Sequence, residues 1–282
     1  MTNCSKICGQ LLQSLTYELQ DISVHSWFDT AGNFLTPFGL VTVLPRWKSL
    51  QPHSLHLATW SEASSLFQGR LSISLDGIWR NGLLAVSFSH AQTVDLSFHP
   101  PQVFPRGRAE LIRQFLLFHR DYEFSGLLTG SLTGPFVRGA AVRFFNLRLA
   151  VAGGRLGDMV SAAARLAGCG TGLTPSSDDL LCGYFWALLP RNPLRGPIEQ
   201  MAEAAARRTN DISASLLQMA GRGFFSEDVL SLSAKLFQGG GEAPIRAALQ
   251  RVSSFGCTSG RDFLTGGYFG IIDACTTRRN QV

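Results

Sequence analysis

Histidine is absent from the larger part of this chain. All six (His25, His53, His56, His90, His99 and His119) fall in the first 119 of 282 residues. Any chemistry placed beyond them must run without imidazole as acid or base. Lysine is scarce as well, at three residues against 22 arginines. No lysine follows a glycine, which excludes the Gly-x-x-x-x-Gly-Lys-Ser/Thr phosphate loop. The six cysteines (Cys4, Cys8, Cys169, Cys182, Cys257 and Cys275) form no C-x-x-C pair, so zinc ribbons and thioredoxin-type motifs are not expected. No serine stands in a Gly-x-Ser-x-Gly elbow. No run approaches the ~18 apolar residues that a membrane helix needs. The best one, Leu180 to Pro190, contains Gly183 and stops at a proline.

Charge is thin too. Only 16% of residues are charged and 45% are hydrophobic, too apolar a mixture for a disordered chain. Met1 to Gly9 is polar and lacks the basic-then-apolar profile of a signal peptide. A cytoplasmic protein with no membrane contact is the expectation. The net charge of +5 is uneven, with −1 over residues 1–104 and +6 over the rest. An arginine excess suits recognition of carboxylate or phosphate, although genomic base composition explains it equally well. Arg138, Arg143 and Arg148 are five apart, so successive ones turn away from each other on a helix. With no basic stripe interleaved with aromatics, nucleic acid is not an expected partner.

What is present divides at residue 104. Residues 5–19 suit a short helix with Leu11, Leu12, Leu15 and Leu19 on one face. Short apolar runs follow at Ile22–Phe28, Gly39–Leu44, Leu55–Trp60, Leu71–Leu75 and Leu83–Phe88. Turn signals at Ala31-Gly32-Asn33 and Trp79-Arg80-Asn81-Gly82 separate them, which predicts a small β barrel or sandwich. Pro100, Pro101 and Pro105 mark a boundary. Beyond it the periodicity predicts helices at 109–119, 156–167, 178–189, 194–208, 212–221, 226–237, 243–254 and 260–275. The expected fold is therefore α+β, a β-rich domain over 1–104 and a mainly helical domain over 105–282. Gly126, Gly130 and Gly134 recur every fourth position and read as a tight loop or close helix packing. His53-x-x-His56 has no acidic partner nearby and is a weak metal motif.

The densest polar cluster runs from Gly168 to Gly183: Gly-Cys-Gly-Thr-Gly-Leu-Thr-Pro-Ser-Ser-Asp-Asp-Leu-Leu-Cys-Gly. Gly168 suits a helix C-cap. Gly170 and Gly172 could bring backbone N–H groups to a ligand, and Thr174, Ser176 and Ser177 offer hydroxyls. A loop of this kind feeding a helix start can hold an anion. The purely structural alternative is a capping box, Ser176-x-x-Asp179. A second copy of the pattern Ser-x-x-Asp-apolar-Leu-x-Gly occurs at Ser259-Gly260-Arg261-Asp262-Phe263-Leu264-Thr265-Gly266. Two caps would not require the later glycines, which cost about 0.5–1 kcal/mol inside a helix. Gly183 and Gly266 are therefore expected where two helices approach closely, with both helix starts facing one polar site. Thr209-Asn210-Asp211-Ile212-Ser213 is a third polar helix start, with Asn210 and Ser213 as further candidates or a simple N-cap.

Together Gly-x-Gly-x-Gly-Leu-Thr-Pro-Ser-x-Asp-Asp, Thr-Asn-x-Ile-Ser and Ser-Gly-x-Asp resemble the AllH-like family, across most of the chain. One member type is a subunit of the bacterial oxamate carbamoyltransferase of allantoin catabolism. Two departures stand out: Ser177 where the family usually has Gly, and Thr171 where Pro is common. The Ser-Thr-Arg-Thr signature of ordinary carbamoyltransferases is absent. The resemblance implies carbamoyl transfer between phosphate and an amide nitrogen, and two further transferase subunits as partners. The ligand would be a small anion such as carbamoyl phosphate, phosphate or an oxamate-like acid. Asp178, Asp179 and Asp262 would then act as base, or would hold a Mg²⁺ as cofactor. Substrate would be bound by Gly170, Gly172, Thr174, Ser176, Ser177, Asn210, Ser213, Ser259, Gly260 and Arg261. Two other readings remain open: a non-catalytic anion-binding or scaffolding subunit, and a stand-alone Mg-assisted hydrolase or lyase. The strand edges of a β domain also make a homo-oligomer plausible.

Overall fold

The computed structural model describes residues 2–61, 63–100, 106–119, 122–132, 135–191, 194–237 and 241–276. The chain forms two compact units, residues 1–97 with Phe225–Glu227, and residues 98–224 with 228–282. The change at Ser97 precedes the expected boundary at 104. Residues 101–105, on which that expectation rests, lie outside the described residues, as does Gly134.

The first unit is a closed barrel. Its strands are β1 (Thr2–Cys8), β2 (Gln20–Phe28), β3 (Ala31–Thr36), β4 (Gly39–Pro45), β5 (Ser54–Leu57), β6 (Leu71–Ser74), β7 (Gly77–Arg80), β8 (Leu83–Ser87) and β9 (Gln92–Val94). Two short helices, α1 (Gly9–Ser14) and α2 (Ala63–Leu66), interrupt them. The order β5-β4-β3-β2-β6-β7-β8-β1 closes through a β1–β5 pairing, and β9 adds to β1 outside the ring. At this strand number side chains just fill the interior. Ile7, Phe34, Val43, Leu55, Leu57, Ile73 and Val86 are completely buried there. His56 is buried at 1% exposure, and burial lowers its pKa, which favours the neutral ring. It takes part in no cluster of metal ligands among the described residues.

Two sequence expectations give way to tertiary pairing. Residues 5–8 lie in β1, not in a helix, because β1 is paired with β5, β8 and β9. Ala31-Gly32-Asn33 opens β3, and the turn sits one step earlier at Asp29-Thr30. Gly32 belongs in the strand because the Trp27 ring lies over it; a Cβ there would stand 2.2 Å from a ring carbon. Asn81-Gly82 does turn the chain, at φ 51° and 80°, as a two-residue hairpin requires.

The second unit is helical: α3 (Arg106–Phe118), α4 (Gly126–Thr129), α5 (Pro135–Gly153), α6 (Leu156–Leu166), α7 (Ser176–Leu188), α8 (Arg195–Ala206), α9 (Asp211–Arg222), α10 (Glu227–Phe237), α11 (Glu242–Ser253) and α12 (Ser259–Thr276). Gly130 ends α4 in the left-handed region at φ 77°, so the Gly126–Gly130 segment is a tight turn. Helix α5 escapes the sequence reading because apolar residues lie all round it. Ala141, Phe144 and Leu147 are buried while Val142, Phe145 and Leu149 are exposed, which erases a clean 3.6-residue stripe.

Every residue of α7 is buried, and α12 crosses it at van der Waals contact. A Cβ on Gly183 would lie 1.8 Å from Phe263 O, and one on Gly266 would lie 1.9 Å from Leu180 O. These contacts are reciprocal, since Leu180 and Phe263 hold the same place in the two sequence copies. Further along, Gly270 meets Ala187. The contacts advance in the same direction on both helices, so both begin at the same end of the pair. Gly266→Ala or Gly183→Ala should therefore lower stability by about 1–3 kcal/mol or more, because packed interiors resist added volume. Denaturant unfolding measures this, and a neutral alanine at either position would contradict the packing.

Candidate functional site

The site grows from the loop between α6 and α7. Gly168, Gly170 and Gly172 all have positive φ (74°, 140° and 102°), which side chains with a Cβ disfavour. Gly168 follows the cap residue of α6, and a Cβ on it would stand 2.5 Å from Arg208 O. A Cβ on Gly170 would stand 2.3 Å from Ser176 N. The loop is thus folded directly onto the start of α7.

Asp178 fastens this arrangement. Its Oδ1 accepts from Gly168 N at 2.7 Å, and its Oδ2 accepts a short hydrogen bond from the Thr209 hydroxyl. Ser177 adds a second clamp, its Oγ accepting from Cys169 N at 2.8 Å and its N donating to Cys169 O at 2.9 Å. The serine that departs from the family's glycine therefore has a structural use. Burial raises the Asp178 pKa, while hydrogen bonds from Thr209 and Gly168 pull it back.

Asp179 faces another way. Its Oδ2 accepts from Thr174 Oγ1 at 3.0 Å, and that hydroxyl also lies 3.0 Å from Ser259 Oγ at the start of α12. The two helix starts thus meet through Thr174. Burial pushes the Asp179 carboxyl up to about 7, with the neighbouring Asp178 adding to the rise and the Ser259 and Thr174 hydroxyls opposing it. Asp262 lies on the same end of α12, fully buried. Its charge raises the pKa of Tyr122 after the larger effect of burial, so the two are neighbours. The Tyr122 hydroxyl is 3.0 Å from Thr265 Oγ1. Arg261 stands over the Tyr122 ring, 5.5 Å from its centroid, and donates to Cys257 O.

Two expectations are corrected by the backbone. Ser176 is not a cap: Pro175 holds the N-cap position of α7 without a side-chain hydrogen bond, and the Asp179 N–H that a capping serine would accept from goes to Pro175 O. Nor are the helix starts open for an anion at their second to fourth residues. The N–H of Ser177 goes to Cys169 O, and those of Asp178 and Asp179 go to Pro175 O. On α12, Gly260 N goes to Phe255 O, and Arg261 N and Asp262 N go to Thr258 O. Asn210 is a cap, its Oδ1 accepting from Ser213 N at 3.0 Å while its Nδ2 donates to Leu173 O at 2.9 Å. It ties α9 to the loop. Ser213 is buried beside Asp178. Gly172 and Leu173 are exposed, and Thr174, Ser259 and Arg261 are half-buried, so the cluster reaches the surface on the loop side.

Among the described residues no three of His, Cys, Asp and Glu gather as metal ligands. The Mg²⁺ assignment to Asp178, Asp179 and Asp262 thus has no such cluster behind it, and both oxygens of Asp178 are already engaged. The sequence reading missed Tyr122 and Thr265. Thr265 had a signal, since it occupies the variable place of the second copy where the first has Cys182. Tyr122 had none, because 143 residues separate it from its partner.

Residues 166–271 match the family described as oxamate carbamoyltransferase subunit AllH. The match spans the end of α6, the glycine loop, α7 and most of α12. No curated protein and no solved structure matches the chain. As for membranes, no helix among the described residues is long and apolar enough to cross one.

The raised carboxyl carries a stability signature. The folded chain keeps the Asp179 proton up to about pH 7, whereas the unfolded chain releases it near the ordinary value of 3.8. Between those values the folded state binds more protons, so stability falls as pH rises and levels off above 7. Asp179→Asn should flatten this slope and raise stability at pH 8, as read from urea midpoints across the range. Identical slopes in both proteins would show that Asp179 titrates normally.

Proposed function

We propose that the chain is a substrate-binding and proton-handling subunit of an oxamate carbamoyltransferase-type enzyme. The observation that carries this reading is Asp179, a buried carboxyl poised near neutrality beside Thr174 and Ser259. The match of residues 166–271 to the AllH family supports the reaction class. In such a transfer the carbamoyl carbon gains a bond to the amide nitrogen and loses its bond to phosphate oxygen. In the same event the nitrogen gives up a proton. A carboxyl with its pKa near the working pH can accept that proton and return it in the reverse reaction. Phosphate or carboxylate would be met by the Arg261 guanidinium and the Thr174 and Ser259 hydroxyls. In the direction that forms carbamoyl phosphate, the protonated Asp179 gives its proton to the departing nitrogen, and until then it leaves one fewer negative charge where the anion sits. Asp178 is assigned no chemistry, since its hydrogen bonds hold the loop.

One observation favours the rival reading of a binding or scaffolding subunit. The N–H groups of the second to fourth residues of both helices, among the usual anion donors, already serve carbonyls of the preceding loops. Turnover of oxamate and carbamoyl phosphate by the isolated chain decides for the catalytic reading.

Calorimetric titration with carbamoyl phosphate should show one saturable site, weakening as pH rises through about 7 while Asp179 ionises. Asp179→Asn should remove that pH dependence. Arg261→Ala should weaken binding by about tenfold or more, the worth of a charge-assisted hydrogen bond. No heat with carbamoyl phosphate, phosphate or oxamate would overturn the proposal.

A further inference from the structure

Helix α5 wastes apolar surface. Val142, Phe145 and Leu149 are 59%, 40% and 71% exposed, and Ala152 is exposed beyond them. Their spacing alternates three and four residues, the seam that a second helix packs against. Alongside runs a groove of about 280 Å³ between α5 and α6, with Leu149, Ala150, Gly153 and Ala162 in its lining and Arg155 and Arg165 at its edge. Burying such a seam in a groove is the standard way to seat an amphipathic helix.

Charge selects the occupant. Helix α5 contains three arginines and no acid. Arg148 is neutralised by Asp273 at 2.7 Å, but Arg138, Arg143 and Arg165 are exposed around the seam. The one acid in the groove, Asp158, pairs with Arg155 at 2.8 Å. A second copy docked face to face would set these arginines against one another, because a two-fold contact is self-complementary. Nucleic acid would answer the arginines and leave the aliphatic seam uncovered. We infer that the α5–α6 face docks an amphipathic helix of a different protein, one whose apolar stripe is flanked by Asp and Glu. The face also borders the site: Arg143 Nη1 donates to Arg165 O at 3.1 Å and to Cys169 Sγ, on the glycine loop, at 2.9 Å. A helix seated there lies next to the glycine loop that leads into α7, the helix of Asp178 and Asp179. This inference stands on the surface alone and does not require the proposed chemistry.

The probe is a fluorescently labelled three-heptad peptide with Leu at both seam positions and Glu on the flanks. Its control carries Lys on the flanks. Anisotropy should show saturable binding of the Glu peptide, about tenfold or more tighter than the Lys peptide, because complementary charge suppresses wrong partners. Binding should weaken as salt rises from about 0.05 to about 0.5 M. Leu149→Glu should weaken the Glu peptide at least about tenfold, and Arg165→Glu should narrow the preference between the peptides. Leu149 is mostly exposed, so circular dichroism should be unchanged. The inference is overturned by absence of Glu-peptide binding or by indifference to Leu149→Glu. Displacement of the peptide by a single-stranded oligonucleotide would overturn it too. So would sedimentation showing that the chain dimerises and that Leu149→Glu makes it monomeric.

Discussion

The helical unit depends on one close crossing. Gly183 of α7 faces the Phe263 carbonyl of α12, and Gly266 of α12 faces the Leu180 carbonyl of α7. Neither contact leaves room for a methyl group. Each glycine lies four residues, about one turn, beyond an aspartate on the same helix face, Asp179 and Asp262 respectively. The crossing therefore sets the depth at which both carboxyls are buried. Helices that run in the same direction also begin together, which is why Thr174 can touch Asp179 and Ser259 at once. Glycine in mid-helix is unfavourable by itself; here it is the condition for a polar site with an apolar floor.

Two neighbouring carboxyls are given different tasks by their surroundings. Asp178 receives a backbone N–H and a hydroxyl, which offset part of the burial that raises its pKa, and it pins the glycine loop. Asp179 is engaged by hydroxyls alone. Hydroxyls can also accept, so that arrangement tolerates the protonated form. The serine at 177 belongs with Asp178, since it fastens the same loop through Cys169. Arg143 reaches that cysteine from the outer helices, linking the exposed α5–α6 face to the loop.

Much of this was legible in the sequence, and the failures have physical causes. The barrel showed in the short apolar runs, though β1 did not, because pairing with three other strands claims residues 5–8 and the helix starts only at Gly9. Gly32 looked like a turn and is a strand residue covered by Trp27. The repeated Ser-x-x-Asp-apolar-Leu-x-Gly pattern gave the helix crossing correctly, because a glycine that a helix does not want must serve packing. The same pattern misled at Ser176, where a capping box was equally consistent and the side chain of Asp179 turned instead to Thr174. Helix α5 was hidden by apolar residues on its exposed face, the feature that later marks it as a docking surface. Tyr122 could not have been found, since nothing local ties it to Thr265.

The proposed chemistry requires Asp179 to hold its proton to near neutrality because the crossing buries it. Carbon-detected NMR of the side-chain carboxyls, with Asp179→Asn to assign the signal, measures this directly. A titration centred near pH 7 in the wild-type chain, falling toward the ordinary carboxylate range when Gly266→Ala loosens the crossing, is the predicted result. A wild-type signal that titrates near 4 would mean that water or an unrecognised donor already stabilises the charge. The assignment of proton transfer to this residue would then be wrong.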